Sequence, residues 1–114
     1  MTSSTSRGHF IWRDCLTPDI DRALAFFSGL TKWEVLDQLS PNVGRYPIIK
    51  SQGRPIAGIL EMPKFLQATG VPPYWTGYVH TDLEVAAETV PALGGQIFTM
   101  PTKSRMGTSF VFTD

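Results

Sequence analysis

Phe10-Ile11-Trp12-Arg13-Asp14-Cys15-Leu16-Thr17-Pro18-Asp19-Ile20-Asp21-Arg22-Ala23 decides how this chain is read. It opens as a β-favouring run and changes, at Thr17-Pro18-Asp19, to the apolar spacing of a helix. The same order returns in Trp75-Thr76-Gly77-Tyr78-Val79-His80-Thr81-Asp82-Leu83-Glu84-Val85-Ala86. Asp82 stands 63 residues after Asp19; at that offset Ile20 falls on Leu83, Ala23 on Ala86 and Leu30 on Leu93. Pro18 lets the offset slip by one in the strand before it. A shared order of elements at a shared offset implies a duplicated unit. Duplication in turn implies a pseudo-twofold arrangement with a site between the copies.

Working outward, His9 to Leu16 reads as the first strand. Thr17 or Asp19 caps the helix that follows, with Asp19 and Asp21 at its positive end. Ile20, Ala23, Leu24, Phe27 and Leu30 form its buried face, with Phe26 beside them. Trp33 to Leu39 is expected as a strand, then a loop over Ser40-Pro41-Asn42-Val43-Gly44. Tyr46 to Lys50 and Arg54 to Glu61 read as a hairpin turned by Ser51-Gln52-Gly53. In the second copy Trp75 to His80 is strand and Asp82 heads a helix that Gly94-Gly95 ends. Gln96 to Met100 and Thr108 to Thr113 are strands around a basic loop with Lys103 and Arg105. The first copy continues through Gly53 to Met62, and the second reaches Asp114 without a counterpart. The expected organisation is a tail over 1–8, a βαβββ module over 9–62, a linker over 63–73 and a βαββ module over 74–114. Paired, these give an α+β fold with a curved, mostly antiparallel sheet and a concave pocket.

The chain has 114 residues and ten acidic against ten basic side chains. Zero net charge gives nothing to attract a phosphate backbone, so nucleic acid is not an expected partner. No apolar run approaches the ~20 residues of a membrane helix. The polar start from Met1 to Arg7 has no signal-peptide core, and Cys15, being alone, forms no internal disulfide. A cytoplasmic, reduced protein is the expectation.

These residues resemble the vicinal oxygen chelate superfamily of glyoxalase I, bleomycin-resistance proteins and extradiol dioxygenases. The resemblance is carried by Phe10 to Phe27 with Trp33-Glu34-Val35, by Gly53-Arg54-Pro55-Ile56-Ala57-Gly58-Ile59, by Pro73 to Asp82 and by Leu93-Gly94-Gly95. It is nearest the glyoxalase-like branch and covers about nine-tenths of the chain. Superfamily enzymes hold a divalent metal with His and Glu from four strands. The resemblance places the first two ligand positions at Trp12 and Thr76, neither a good ligand, the third near Glu61, and the fourth on the strand without a counterpart. The resemblance therefore implies a metal-independent protein, with no cofactor.

Alternation puts Phe10, Trp12 and Asp14 on one face of the first strand and Ile11, Arg13 and Cys15 on the other. By the resemblance the first set faces the concavity, as do Thr76, Tyr78 and His80. Tyr46 or Ile48, Glu61, Phe110 and Phe112 are further candidates. His80 also reads as a surface or capping residue, His9 as an exposed terminal one, and Cys15 as a small buried hydrophobe. The same aromatics serve equally as core. The expectation is a small-molecule-binding protein of glyoxalase or bleomycin-resistance type, its ligand apolar or aromatic and stacked on Trp12 and Tyr78, with Asp14, Glu61 or His80 placing polar contacts. The alternatives are a metal-dependent lyase or dioxygenase using Glu61 and His80, or a dimeric interaction protein or remnant without activity. An open sheet edge favours a homodimer.

Overall fold

The computed structural model describes residues 7–41, 44–99, 101–104 and 107–113. Within them the chain forms two compact units: His9–Val79, and the described residues of Met1–Gly8 with His80–Asp114. No helix among the described residues is long and apolar enough to cross a membrane.

The first unit contains β1 (Phe10–Thr17), α1 (Ile20–Leu30), β2 (Glu34–Leu36), β3 (Leu39–Ser40), β4 (Gly44–Arg45), β5 (Ile48–Ser51), β6 (Arg54–Glu61), α2 (Lys64–Ala68) and β7 (Tyr74–Val79). Five strands make one sheet in the order β2-β5-β6-β1-β7. β1 runs parallel to β6, and every other pair is antiparallel. This is the α+β, mostly antiparallel architecture expected. β7 is laddered on β1 and lies in the same compact unit. The ladder centres on Arg13 opposite Gly77, the register a twofold relation between the two strands produces.

Local chemistry explains the elements. The Asp19 carboxylate caps α1 by accepting the Arg22 N–H at 3.0 Å, and the Thr17 hydroxyl accepts the Asp19 N–H at 3.1 Å. A cap of this kind is worth about 1 kcal/mol. Thr31 closes the helix, its hydroxyl donating to the Phe27 carbonyl at 2.7 Å. Ile20 is buried on the sheet, and Ala23, Leu24 and Phe27 pack on the core of Cys15, Ile49, Ala57 and Ile59. The β5–β6 turn sets Gln52 at φ 52° and Gly53 at φ 78°, the two positive angles a tight twisted hairpin requires.

Three stretches of the first unit differ from the reading above. The expected strand from Trp33 is broken after Leu36, because Gln38 gives its carbonyl to the Tyr46 N–H at 2.8 Å and β3 turns to pair with β4. Arg45 fastens this excursion, reaching Asp37 at 2.7 Å and Asp21 on α1 at 2.8 Å. Asn42 and Val43 of the expected loop lie outside the described residues. The linker contains the short helix α2, started by Pro63, whose carbonyl accepts the Leu66 and Gln67 N–H groups at 3.0 and 3.1 Å.

The second unit holds α3 (Leu83–Ala92), β8 (Gln96–Ile97), β9 (Thr102–Ser104), β10 (Gly107–Ser109) and β11 (Phe112–Thr113). Asp82 caps α3, accepting the Glu84 and Val85 N–H groups at 3.1 and 3.2 Å. β8 pairs with β11, and β9 with β10 inside the expected basic loop. The two long strands expected here are short because the Thr99 hydroxyl takes the Val111 N–H at 2.9 Å and interrupts the ladder. Met100, Arg105 and Asp114, and residues 1–6 of the expected tail, lie outside the described residues.

Candidate ligand site on the open face of the sheet

Cys15, Ile49, Ala57 and Ile59 face α1. Side chains one residue away in each strand therefore project from the opposite face. Register brings Trp12 beside Tyr78, Asp14 beside Thr76 on one side and Gly58 on the other, and Ile48 beside Gly58. Tyr46, just before β5, lies over Gly58: a Cβ at that position would overlap its Cε1, Cζ and hydroxyl oxygen. The missing side chain is what lets the phenol reach across β6 to β1.

There the Tyr46 hydroxyl donates to Asp14 Oδ1 at 2.5 Å and accepts the Trp12 indole N–H at 2.8 Å. Trp12 Nε1 is also 3.2 Å from the same carboxylate oxygen. Tyr78, in register with Trp12, lies close enough for the charge of Asp14 to act on its phenol. Asp14 is only 4% exposed, while Trp12, Tyr46, Thr76 and Tyr78 are half-buried. Burial, followed by the hydrogen bond to Asp14, pushes the Tyr46 phenol far above its ordinary value. Burial and the charge of Asp14 do the same for Tyr78. Both hydroxyls therefore stay protonated, and that of Tyr46 donates inward. Burial, then the Asp14 charge, also raises the Cys15 thiol, which keeps it a buried thiol rather than a nucleophile.

The structure thus brings together five of the nine expected site residues: Trp12, Asp14, Tyr46, Thr76 and Tyr78. Glu61 is not in this group. Its parallel register with Thr17 places it on the alternation of Ile59, and it is exposed, 3.9 Å from Lys64. His80 follows β7 in the second unit, where its carbonyl accepts the Gly8 N–H at 2.6 Å. Phe110 and Phe112 are also in the second unit, their ring centroids 6.0 Å apart. Phe112, Val85, Val90 and Leu93 line a hollow of about 370 Å³ there. Phe10 departs from the expected face. A register irregularity between Phe10 and Trp12 turns it, and its ring would lie 2.8 Å from a Cβ on Gly77, which alternates against Tyr78.

Sequence reasoning passed over Gly58 as a site residue, although a glycine inside a strand is the signal for close approach. It also passed over a cleft of about 500 Å³ between α1 and β7, lined by Phe26, Phe27, Tyr74 and Trp75 with Asp19 and Arg22 at its polar side. The cleft's aromatic walls pack on one another: Phe27 lies 5.4 Å from Trp75 and 5.7 Å from Trp33. It has no convergent polar network, whereas the open face has one.

A superfamily metal needs three or four N/O ligands on one centre. Among the described residues no three His, Cys, Asp or Glu side chains converge. Asp14, the buried carboxylate on the open face, already accepts N–H and O–H donors. Trp12 and Thr76 stand at the positions where ligands were implied. These residues do not fit the metal.

No family model matches the chain. Over 115 aligned positions it is 26% identical to the anthracycline biosynthesis protein DnrV of Streptomyces peucetius, covering 90% of this chain. It spans 42% of the length of that curated relative. Among solved structures it is similar to the hypothetical protein BH1468 from Bacillus halodurans C-125, with a TM-score of 0.53 at 18% identity over 90% of this chain and 83% of that one. A methylmalonyl-CoA epimerase superposes with a TM-score of 0.49 at 15% identity over 90% of this chain and 82% of its own.

Proposed function

From the glyoxalase-like, vicinal oxygen chelate fold of this chain, we propose a metal-independent small-molecule-binding protein whose ligand is a planar aromatic compound held on Trp12, Tyr46 and Tyr78. One observation carries this reading: Trp12 and Tyr46 hydrogen-bond a buried carboxylate, with Tyr78 beside Trp12 in register, on the sheet face away from α1. Trp12, Tyr46 and Tyr78 are only partly buried, so each keeps some surface open to a ligand. Apolar ring surface with a few fixed polar groups is the usual make-up of a small-molecule site. DnrV is named for anthracycline biosynthesis, and a fused-ring aromatic ligand agrees with a surface of this composition. The donor set does not favour the metal-dependent lyase or dioxygenase.

Native mass spectrometry of protein purified without chelators tests this directly. A subunit carrying an organic adduct and no metal supports the proposal, and a dimer would support the proposed homodimer. One divalent ion per subunit would overturn metal independence. Trp12→Ala is expected to weaken binding of the neutral probe 1-methylnaphthalene roughly tenfold, the loss of one aromatic contact. Circular dichroism should show the fold retained. Unchanged affinity in a folded variant would remove Trp12 from the site.

A further inference from the structure

We infer that the open face selects ligands bearing a positive charge, such as an aromatic amine or quaternary ammonium, and that Asp14 is the residue that sets this preference. The inference rests on the binding reading above and specifies its ligand class. Both side-chain groups hydrogen-bonded to the Asp14 carboxylate are donors: the Trp12 indole N–H and the Tyr46 hydroxyl. An ionised carboxylate is acceptor-only, so this arrangement satisfies the charged form.

Among the described residues no ion pair of Asp14 is found: the ion pairs join Arg45 to Asp21 and Asp37, and Lys64 to Glu61. Arg13, next in sequence, points its guanidinium to the Ile56 carbonyl at 3.2 Å. Lys50 stands on β5, two strands from β1, in register with Glu34. Neutral donors stabilise a buried charge without cancelling its field. At 4% exposure that field is screened less by water than at the surface. The Tyr46 hydroxyl donates its proton inward to Asp14, and the rings of Trp12, Tyr46 and Tyr78 offer π-density to a ligand. Both favour a cation. An anion would meet the same field as repulsion.

Three probes of one ring size separate the terms: 1-methylquinolinium (cation), 1-methylnaphthalene (neutral) and 1-naphthoate (anion), titrated by isothermal calorimetry. The cation is expected to bind about tenfold more tightly than the neutral probe, with the anion weakest. Asp14→Asn, of the same shape, is expected to erase the difference between cation and neutral probe. Tyr78→Phe keeps the ring and the charge, and should retain the preference even if Asp14→Asn does not fold. Equal affinity of the three probes for the native protein would overturn the charge inference and leave the binding proposal standing. Preference persisting in folded Asp14→Asn, or vanishing in Tyr78→Phe, would also overturn it. Binding of none of the probes at millimolar concentration would remove the binding proposal itself.

Discussion

Ile59→Ala is expected to lower the unfolding free energy by about 3 kcal/mol, within the range for deleting a buried branched side chain. Ile59 is 0% exposed and stands in β6, the strand between β5 and β1. It is level with Cys15 and shares a core with Ile49, Ala57 and Ile20. That core is small, and α1 rests on it through Ala23, Leu24 and Phe27, so collapse around the missing atoms is limited. Total stabilities of single domains are roughly 5–15 kcal/mol, so the loss is a large fraction of the whole. Urea denaturation followed by circular dichroism measures it. Ile59→Val should cost about 1 kcal/mol by the same reasoning. A loss below about 1 kcal/mol for Ile59→Ala would show that this packing is not the centre of the unit.

Gly58→Ala is expected to expel Tyr46 from the sheet. The new Cβ overlaps the end of the phenol ring, and the β6 backbone is held by strands on both sides. The ring is half-buried and can swing to solvent, so the fold survives. Asp14 then loses its 2.5 Å hydrogen bond, and Trp12 loses the acceptor at 2.8 Å. Hydrogen bonds to charged groups contribute about 1.5–3 kcal/mol, and about 2 kcal/mol of destabilisation is expected here. The functional effect is greater: one wall of the proposed site is gone, and affinity for 1-methylquinolinium should fall more than about tenfold. Tyr46→Phe separates the two contributions, since it removes the hydroxyl and leaves the ring. Native affinity in Gly58→Ala would mean that Tyr46 is outside the site.

The parts of the fold legible in the sequence are those set by local chemistry. Asp19 and Asp82 announce two helix starts because a carboxylate just before an apolar helical stretch caps it. Gln52-Gly53 announces the hairpin because the turn needs positive φ. The site was legible in part for the same reason. Alternation along β1 and β7 groups Trp12 with Asp14 and Thr76 with Tyr78, and the family resemblance names the face, without knowledge of how the strands pair. What alternation cannot supply is register between strands. The placement of Glu61 opposite Thr17, and of Tyr46 over Gly58 with its hydroxyl on Asp14, depends on pairings between distant residues. The turn of Phe10 comes from a local irregularity that no residue pattern marks. The split strands near Leu36 and Thr99 arise from single hydrogen bonds, the Gln38 carbonyl to Tyr46 and the Thr99 hydroxyl to Val111. Such bonds compete with the ladder only once the chain is folded.

The three tryptophans offer a direct reading of where a ligand sits. Trp12 is on the open face, while Trp33 and Trp75 belong to the aromatic cluster with Phe27 on the α1 side. Their indole N–H groups give three separate resonances in a ¹H–¹⁵N spectrum. Titration with 1-methylquinolinium should shift the Trp12 resonance saturably and leave those of Trp33 and Trp75 in place. A saturable shift of Trp75 with Trp12 unmoved would contradict the assignment and put the ligand in the cleft between α1 and β7.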